Sequence, residues 1–253
     1  MTEMLSPSAS AIVASVRGAC ARFGFDLVQP LCVGWYNRHV EGSLRLEDFG
    51  SEQHLALIIG NTRALWPVWM DALARDAELL AGPDPLDTYT ERCVARAVEA
   101  LGVPATVRFA HEVGERCVAM QRLAHAAGLA YSSETHLSVH PTFGPWIALR
   151  AAVTLAVPGP EGAEPALAHP CGGCAGGCRP AFERALAALT GPLSEASVLE
   201  AWQAWADFRG ACPTGREHRY PEAMLRYHYT KDRRALQSTT ESREPQHKGT
   251  DEL

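Results

Sequence analysis

The sequence predicts one large domain of helices and strands, of the α/β or α+β class, and two observations lead to this prediction. Segments with helical spacing of apolar residues alternate along the chain with short apolar runs typical of buried strands. The 253 residues are 47% hydrophobic and 21% charged, enough for a substantial core, and no shift in composition divides them. We therefore expect a single domain over residues 1–237 and a polar, disordered tail over 238–253.

Composition and charge exclude several classes of function. The net charge of −6 comes without a basic stripe, so we expect no nucleic-acid partner. No apolar run approaches the roughly 18 residues that a bilayer-spanning helix requires. The first 24 residues lack the basic region of a secretory signal and show helical spacing, so we expect a cytoplasmic protein that begins with a helix over 8–23.

The apolar periodicity assigns most segments to one element type. An extended stretch is expected over 27–36, interrupted by Pro30 and Gly34, and a buried strand over 54–60. Asn61 and Thr62 are expected to cap the next helix, in which Pro67 predicts a kink or a late start. The other expected elements are helices over 83–101, 114–131, 179–191 and 194–210, a strand over 106–112, and a last helix opened by Pro221.

The longest predicted strand, 147–157, carries a single charged residue. Its odd-numbered positions are all apolar, and the period of two places them on one face. The other face holds small side chains and Arg150, whose guanidinium cannot lose its charge and would need an anionic partner in that space. Two alternatives stay open: an anionic ligand, or an Asp or Glu of the chain beside an arginine at a sheet edge.

A cysteine-rich loop is expected over 158–180, where the chain is rich in glycine and proline. Its core, HPCGGCAGGC at 169–178, has the C-x2-C-x3-C spacing of a metal-binding segment. Three alternatives stay open: an iron–sulfur cluster, a zinc site that uses His169, and a metal-free loop. The candidate ligands are Cys171, Cys174, Cys178 and the distant Cys212, whereas Cys20, Cys32, Cys93 and Cys117 are expected in the core.

Several motifs resemble the CblC family of vitamin B12 processing proteins, in the same order and at similar spacing. They are FGF at 23–25, GWYN at 34–37, DPLD at 84–87, AHAAGLAY at 124–131 and HPTFGPWIALRAAVTLAVPG at 140–159. The resemblance covers roughly residues 15–160 well and the C-terminal third more loosely. It implies an α+β fold, a flavin-nitroreductase-like sandwich with a central mixed or antiparallel sheet flanked by helices.

The resemblance implies a protein that binds cobalamin with its lower base detached and removes the upper axial ligand. In the family, cyano groups leave by reduction with a reduced flavin, FMN or FAD, and alkyl groups leave by transfer to a glutathione thiolate. A corrinoid chaperone or scavenger without turnover is one alternative, and an iron–sulfur or zinc-containing corrinoid reductase is another. A homodimer and a downstream B12-dependent enzyme or trafficking protein are the partners that it suggests.

The resemblance also assigns roles to particular residues. His125 and Tyr131 correspond to the family's histidine and tyrosine near the corrin, and the motif at 140–146 adds three more corrin contacts: His140, Phe143 and Trp146. Arg150 and Arg209 correspond to glutathione-binding arginines, with Arg234 third, although Arg233 could take its place. Guanidinium groups suit a tripeptide with two carboxylates. The alternatives are that His125 is an interior residue and that Phe143 and Trp146 are core aromatics.

The cysteine loop departs from the pattern of the animal members of the family. It resembles the ferredoxin-type segment of bacterial relatives, as does ACPTGREHRYPEA at 211–223. Epoxyqueuosine reductase is a more distant relative, which combines a related fold with iron–sulfur clusters. Phe182 stands where that pattern has a further cysteine, so no complete run of four ligands exists. The loop leaves one more alternative, a thiolate delivered to the cobalt itself.

Overall fold

The fold is built on a four-stranded antiparallel sheet, seen in a computed structural model that describes residues 8–237 except the side chain of Glu195. Its strand order is β1-β2-β6-β3, and β4 and β5 form a separate antiparallel pair. The strands are β1 (Leu27–Cys32), β2 (His54–Asn61), β3 (Ala105–Phe109), β4 (Tyr131–Ser132), β5 (Ser138–Val139) and β6 (Ala148–Pro158). This sheet with its flanking helices confirms the α+β class.

Eleven α-helices in the described part of the chain surround the sheet and complete the C-terminal third. They are α1 (Ala9–Ala21), α2 (Val33–Asn37), α3 (Leu65–Arg75), α4 (Ala77–Ala81), α5 (Pro85–Glu99), α6 (Met120–Ala126), α7 (Cys178–Ala187), α8 (Glu195–Glu200), α9 (Trp202–Gly210), α10 (Glu222–Thr230) and α11 (Arg234–Gln237). None is both long and apolar enough to cross a membrane.

The sheet buries both of its faces, which explains why β2 reads as a continuous apolar run. Leu57 and Val153 belong to the larger core, with the fully buried Trp69 and with residues of α1, α3, α5 and α10. Ile58 and Ala152 lie in the second core with residues of α2 and α6. His125 of α6 therefore lies beside this second core.

A β-bulge at Arg150 corrects the predicted alternation of β6. Ile59 pairs with Ala151 and Gly60 with Leu149, so Arg150 is the extra residue of the bulge. Beyond it, Ala151 faces the larger core as predicted, but Leu149 packs against the second core. The single face predicted for 147–157 is therefore wrong before the bulge, because one inserted residue reverses the alternation. Gly60 permits this pairing, since a Cβ there would lie 2.6 Å from the carbonyl oxygen of Ala148.

Two element boundaries near the site differ from the prediction. The extended stretch expected over 27–36 ends at Cys32, where the short helix α2 begins. The helix expected over 114–131 covers only α6, because Gly128 takes a left-handed conformation (φ +70°) directly after the last turn. The turn after α6 therefore leads into β4 and places Tyr131 beside the helix instead of on it.

Helix α3 begins late, at Leu65, and so places Pro67 in its first turn, where a missing N–H costs little. The predicted cap at Asn61 and Thr62 is wrong in detail, because the helix cap is Ala64. The Thr62 hydroxyl accepts a hydrogen bond from the Ala64 N–H and donates to Asp26. The expected helix over 194–210 is interrupted at Ala201, which separates α8 from α9.

The cysteine-rich segment is a loop, as the sequence predicts, but it ends before Cys178 instead of at residue 180. Between Pro158, the last residue of β6, and Cys178, the first of α7, the chain forms neither helix nor strand. Cys20, Cys32 and Cys93 are buried as expected, whereas Cys117 is only half-buried. The tail predicted over 238–253 lies outside the described residues.

Candidate functional site

Two of the predicted arginines, Arg150 and Arg209, line one open cavity of about 300 Å³. β6, α6, α9, α10 and the segment at β5 contribute its walls. Its other polar residues are Gln121, His136, Ser138, His228 and Tyr229, none of which the sequence pattern singled out. We call this the arginine cavity.

Arg150 is half-buried and is held by an amide instead of a carboxylate. Its Nε donates a hydrogen bond of 2.7 Å to Oδ1 of Asn61, at the end of the neighbouring strand β2. Burial lowers the pKa of Arg150, and Tyr220 and Asp87 partly oppose that shift. Among residues 8–237 no ion pair joins this guanidinium to an Asp or Glu, which leaves the anionic-ligand alternative in place.

Arg209 is only 5% exposed, and its hydrogen bonds fix its position. Nε donates to the Pro145 carbonyl at 2.8 Å and Nη2 to the Ile147 carbonyl at 2.9 Å. The guanidinium carbon also lies 5.0 Å from the ring centre of Trp146 and 4.6 Å from that of Tyr220, within cation–π distance. This side chain therefore both supports the first residues of β6 and adds a second positive charge to the cavity.

His228 contributes a neutral imidazole to the arginine cavity. Burial lowers the pKa of His228 well below its usual value, and the charges of Arg209 and Arg150 lower it further. The ring is consequently uncharged at neutral pH and can donate or accept a hydrogen bond. No sequence pattern identified His228 as a site residue, because RYHYT in α10 resembles any amphipathic segment.

The third predicted arginine lies apart from the other two. Arg234 is exposed, and its Nε donates to Asp232 at 3.0 Å. The alternative residue, Arg233, donates instead to backbone carbonyls between Leu80 and Pro83. The structure thus brings Arg150 and Arg209 together and does not bring Arg234 or Arg233 to their cavity.

The predicted corrin residues His125 and Tyr131 do come together. Their ring centres lie 5.4 Å apart in an edge-on arrangement, and the ring centre of His169 of the cysteine loop lies 4.6 Å from that of Tyr131. His125 also lines an open cavity of about 360 Å³ with His39, Arg122, Ser132 and Glu164. The segment after β6 closes one side of this surface, because Glu164 bonds to His39 at 3.0 Å.

His140 and Phe143 form a compact turn. Nδ1 of His140 accepts hydrogen bonds from the N–H groups of Thr142 and Phe143, at 3.0 and 3.2 Å, and the two rings lie 4.7 Å apart. Burial lowers the pKa of His140, an effect that Asp26 opposes and His218 reinforces. Phe143 also packs edge-on against the ring of His218, at 4.8 Å.

Trp146 is a core residue. Its side chain is 1% exposed and packs between Tyr220, Arg209 and Arg219. The core alternative considered from the sequence therefore describes its surroundings. Trp146 contributes to the site by packing against Arg209.

The four candidate metal ligands, Cys171, Cys174, Cys178 and Cys212, line one cavity of about 160 Å³. We call it the cysteine cavity. Cys212 is 7% exposed, Cys174 is exposed, and the other two are half-buried. In the described part of the chain, no three His, Cys, Asp or Glu side chains stand close enough to hold a metal ion as they are.

Two residues near the cysteine cavity, His169 and Phe182, do not contribute to it, and each packs against an aromatic ring instead. His169, the expected fourth zinc ligand in one alternative, packs on Tyr131 and does not line the cavity. Phe182, at the position of the missing cysteine, packs 5.1 Å from Phe208 in a small core between α7 and α9. A thiol at that position would leave this core underfilled.

Comparison with known proteins defines the fold. A scan of protein-family models finds no match, and a search of curated protein sequences finds none. Among solved structures, the chain is similar to CblC from C. elegans, described as a B12-trafficking protein and a homologue of human MMACHC. The TM-score is 0.63 with 18% identity, over 90% of this chain and 95% of that one.

The chain has the CblC fold. It is also similar to a selenomethionine-labelled epoxyqueuosine reductase, with a TM-score of 0.50 and 12% identity over 85% of this chain and 68% of that one. The resemblance drawn from the motifs is therefore confirmed for the fold, including the α+β sandwich. The roles assigned to individual residues stay predictions.

Proposed function

We propose that this protein binds cobalamin with its lower base detached and transfers the upper alkyl ligand to a thiol such as glutathione. The observation that carries the proposal is the CblC fold, which extends over nearly the whole of both chains. The motifs that resemble the family, AHAAGLAY and HPTFGPW, lie at neighbouring places on that fold, in α6 with the turn before β4 and in the turn before β6.

The proposed corrin surface consists of His125, Tyr131, His140 and Phe143. The first two are adjacent and only half-buried, so part of each side chain is accessible to a ligand. Backbone hydrogen bonds from the turn hold the His140 ring in place before a ligand arrives, and the Phe143 ring packs against it. A large apolar macrocycle with polar edges suits such a mixture of aromatic and imidazole groups.

The arginine cavity is the proposed site for the thiol's carboxylates. Arg150 and Arg209 carry two positive charges without an ion pair to a carboxylate among the described residues, and such charges favour an anion. In the reaction, the thiolate sulfur attacks the alkyl carbon, a C–S bond forms, and the Co–C electron pair stays on cobalt. The chain's part is to bind the peptide's carboxylates and to orient its sulfur.

Visible spectroscopy of the purified chain with methylcobalamin and cyanocobalamin tests the proposal. We expect the base-on spectrum to change to the base-off form on binding, and the alkyl form to be consumed only after glutathione is added. In a parallel experiment, cyanocobalamin is incubated with the protein and a reduced flavin, FMN or FAD, and the spectrum shows whether cyanide is removed by reduction.

The same experiment separates the alternatives. A base-off shift without any product under either condition would support a corrinoid chaperone or scavenger and contradict the catalytic proposal. An unchanged spectrum with all cobalamins would contradict cobalamin binding itself. The variant His125→Ala with Tyr131→Phe, beside the exposed-residue control Arg216→Ala, locates the corrin surface, and we expect only the first to weaken binding.

A further inference from the structure

The cysteine cavity joins two distant segments of the chain through four sulfur atoms. Cys171, Cys174 and Cys178 come from the loop and the first residue of α7, and Cys212 follows α9. Gly176 and Pro213 touch so closely that a Cβ on the glycine would lie 2.8 Å from the proline ring. The glycine therefore permits the approach that gives both segments access to one cavity.

Backbone groups already point at two of these sulfurs. The Gly176 N–H donates to Sγ of Cys174 at 3.3 Å. Burial raises the pKa of Cys212, and the backbone N–H and the hydroxyl of Thr214 beside the sulfur oppose that shift. In each case the donor is two residues after the cysteine, and such N–H groups stabilise negative charge on sulfur.

The spacing of the ligands indicates what these sulfurs would hold. Cys171 and Cys174 are separated by two residues and Cys174 and Cys178 by three, both within the C-x2–4-C range of structural zinc sites. The continuous C-x2-C-x2-C-x3-C-P run of four-iron clusters is absent. Zinc also accepts a set of four thiolates without any further ligand, which matches the donors that the cavity offers.

We propose that Cys171, Cys174, Cys178 and Cys212 bind one divalent, thiophilic metal ion of the zinc type in a closed tetrathiolate site. Binding draws the four sulfurs inward from their present separation. Glycines at 172, 173, 176 and 177 give the loop the backbone freedom for this movement. Four thiols that bind as thiolates release four protons to solvent, and no electron transfer is involved.

The site would act as a clamp beside the candidate corrin surface. The cavity is also lined by Ser133, Glu134 and Thr135, which begin two residues after Tyr131. On the other side, a Cβ on Gly144 would lie 1.9 Å from the carbonyl oxygen of Thr214, so the turn of Phe143 packs directly on the segment after Cys212. The metal site itself does not depend on the proposed function, and its tests contain no cobalamin.

The test is metal binding by the full chain. Protein purified under reducing conditions is stripped with a chelator and titrated with Zn²⁺, and separately with Co²⁺ as a coloured substitute. We expect one ion per chain, proton release on Zn²⁺ binding, and a thiolate-to-cobalt absorption band. Metal analysis of the untreated protein should find zinc without acid-labile sulfide.

Matched cysteine variants localise the ion. Cys174→Ser changes an exposed side chain and should preserve the fold, whereas Cys117→Ser changes a half-buried thiol outside the cavity. We expect Cys174→Ser to weaken Zn²⁺ binding by more than about tenfold, since even supporting groups around a metal commonly contribute that much. Cys117→Ser should bind as the parent does.

Three results would overturn the proposal. The first is a chain that takes up neither ion. The second is iron with sulfide in the purified protein, which would assign the thiols to a cluster. The third is equal affinity in Cys174→Ser and Cys117→Ser. Circular dichroism of both variants shows that each is folded, so a loss of binding can be attributed to the missing ligand.

Discussion

The arginine cavity and the cysteine cavity are built in opposite ways. The first is lined mainly by strands and helices, and hydrogen bonds already hold its charged groups: Arg150 to Asn61, and Arg209 to two carbonyls. The second is lined mainly by loops, and its four sulfurs are not yet at metal-binding distance. One cavity is prepared before a ligand arrives, and the other would be completed by it.

The difference follows from the chemistry of the side chains. A guanidinium keeps its charge when it is buried, so the folded chain must supply fixed partners for it. A thiol can be neutral, and then it rests in a loop without a partner at small cost. Burial and the neighbouring thiols Cys178, Cys212 and Cys174 raise the pKa of Cys171, which favours that neutral form when no cation is bound.

The largest effect is expected for Arg209→Met, which tests whether the arginine cavity is prepared by the fold. The change leaves the Pro145 and Ile147 carbonyls without their donor, at about 1–3 kcal/mol for each unsatisfied group. We expect the free energy of unfolding in urea to fall by about 2–6 kcal/mol in total. The exposed Arg216→Met is the control, and an equal, small loss in both variants would contradict the structural role of Arg209.

Arg150→Ala tests the ligand side of the same cavity. A charge-assisted hydrogen bond to a carboxylate contributes about 1.5–3 kcal/mol, so glutathione-dependent demethylation of methylcobalamin should slow by roughly 10–100-fold. The base-off shift should remain. Arg234→Ala is the matched control, because this side chain pairs with Asp232 outside the cavity. Equal loss of cobalamin binding and turnover in Arg150→Ala would refute its assignment to the thiol.

The pH dependence of stability tests whether His228 of the arginine cavity is held uncharged by the fold. Because burial and two arginines hold the pKa of His228 well below 6.5, the unfolded chain binds a proton that the folded chain excludes. Stability is then complete above about pH 6.5 and falls on acidification, by at most about 1.4 kcal/mol per pH unit for this group.

The measurement is urea unfolding between about pH 7 and pH 5 for the parent and for His228→Asn. The variant should lose less stability than the parent over this range. An identical slope in both proteins would show that His228 does not titrate between the folded and unfolded states.

The smallest effect is expected for Cys174→Ser in the presence of a chelator. The thiol is exposed, so the free energy of unfolding should change by less than about 0.5 kcal/mol. With excess Zn²⁺ the parent should gain stability by mass action, and the variant should gain much less. A large loss of unfolding free energy in the chelator would mean that the loop is already fixed without a metal. It would contradict the view that the cysteine cavity is completed only by its ligand.

The sequence predicted the parts of the molecule that depend on periodicity. The apolar run of β2, the alternation of β6 beyond Ala151 and the helices α1 and α5 follow from local spacing, because each must turn a continuous apolar surface to a core. Arg150 was identified in the same way, by its position on a strand face of small residues, whereas the motif at 140–159 was identified by its resemblance to the CblC family. His228 and Asn61 were not identified as site residues, since neither has any local pattern that distinguishes it.

The sequence by itself determined the fold class, the isolation of Arg150 among small residues and the spacing of three cysteines. Only the tertiary structure decided which charges meet. Arg150, at the bulge, bonds to Asn61, and Arg209 of α9 lines the same cavity. Arg234 lies outside this cavity and pairs with Asp232. The physical reason is that periodicity records which face of an element is buried, whereas a site depends on groups far apart in the chain, whose meeting is set by packing and by the register of strands.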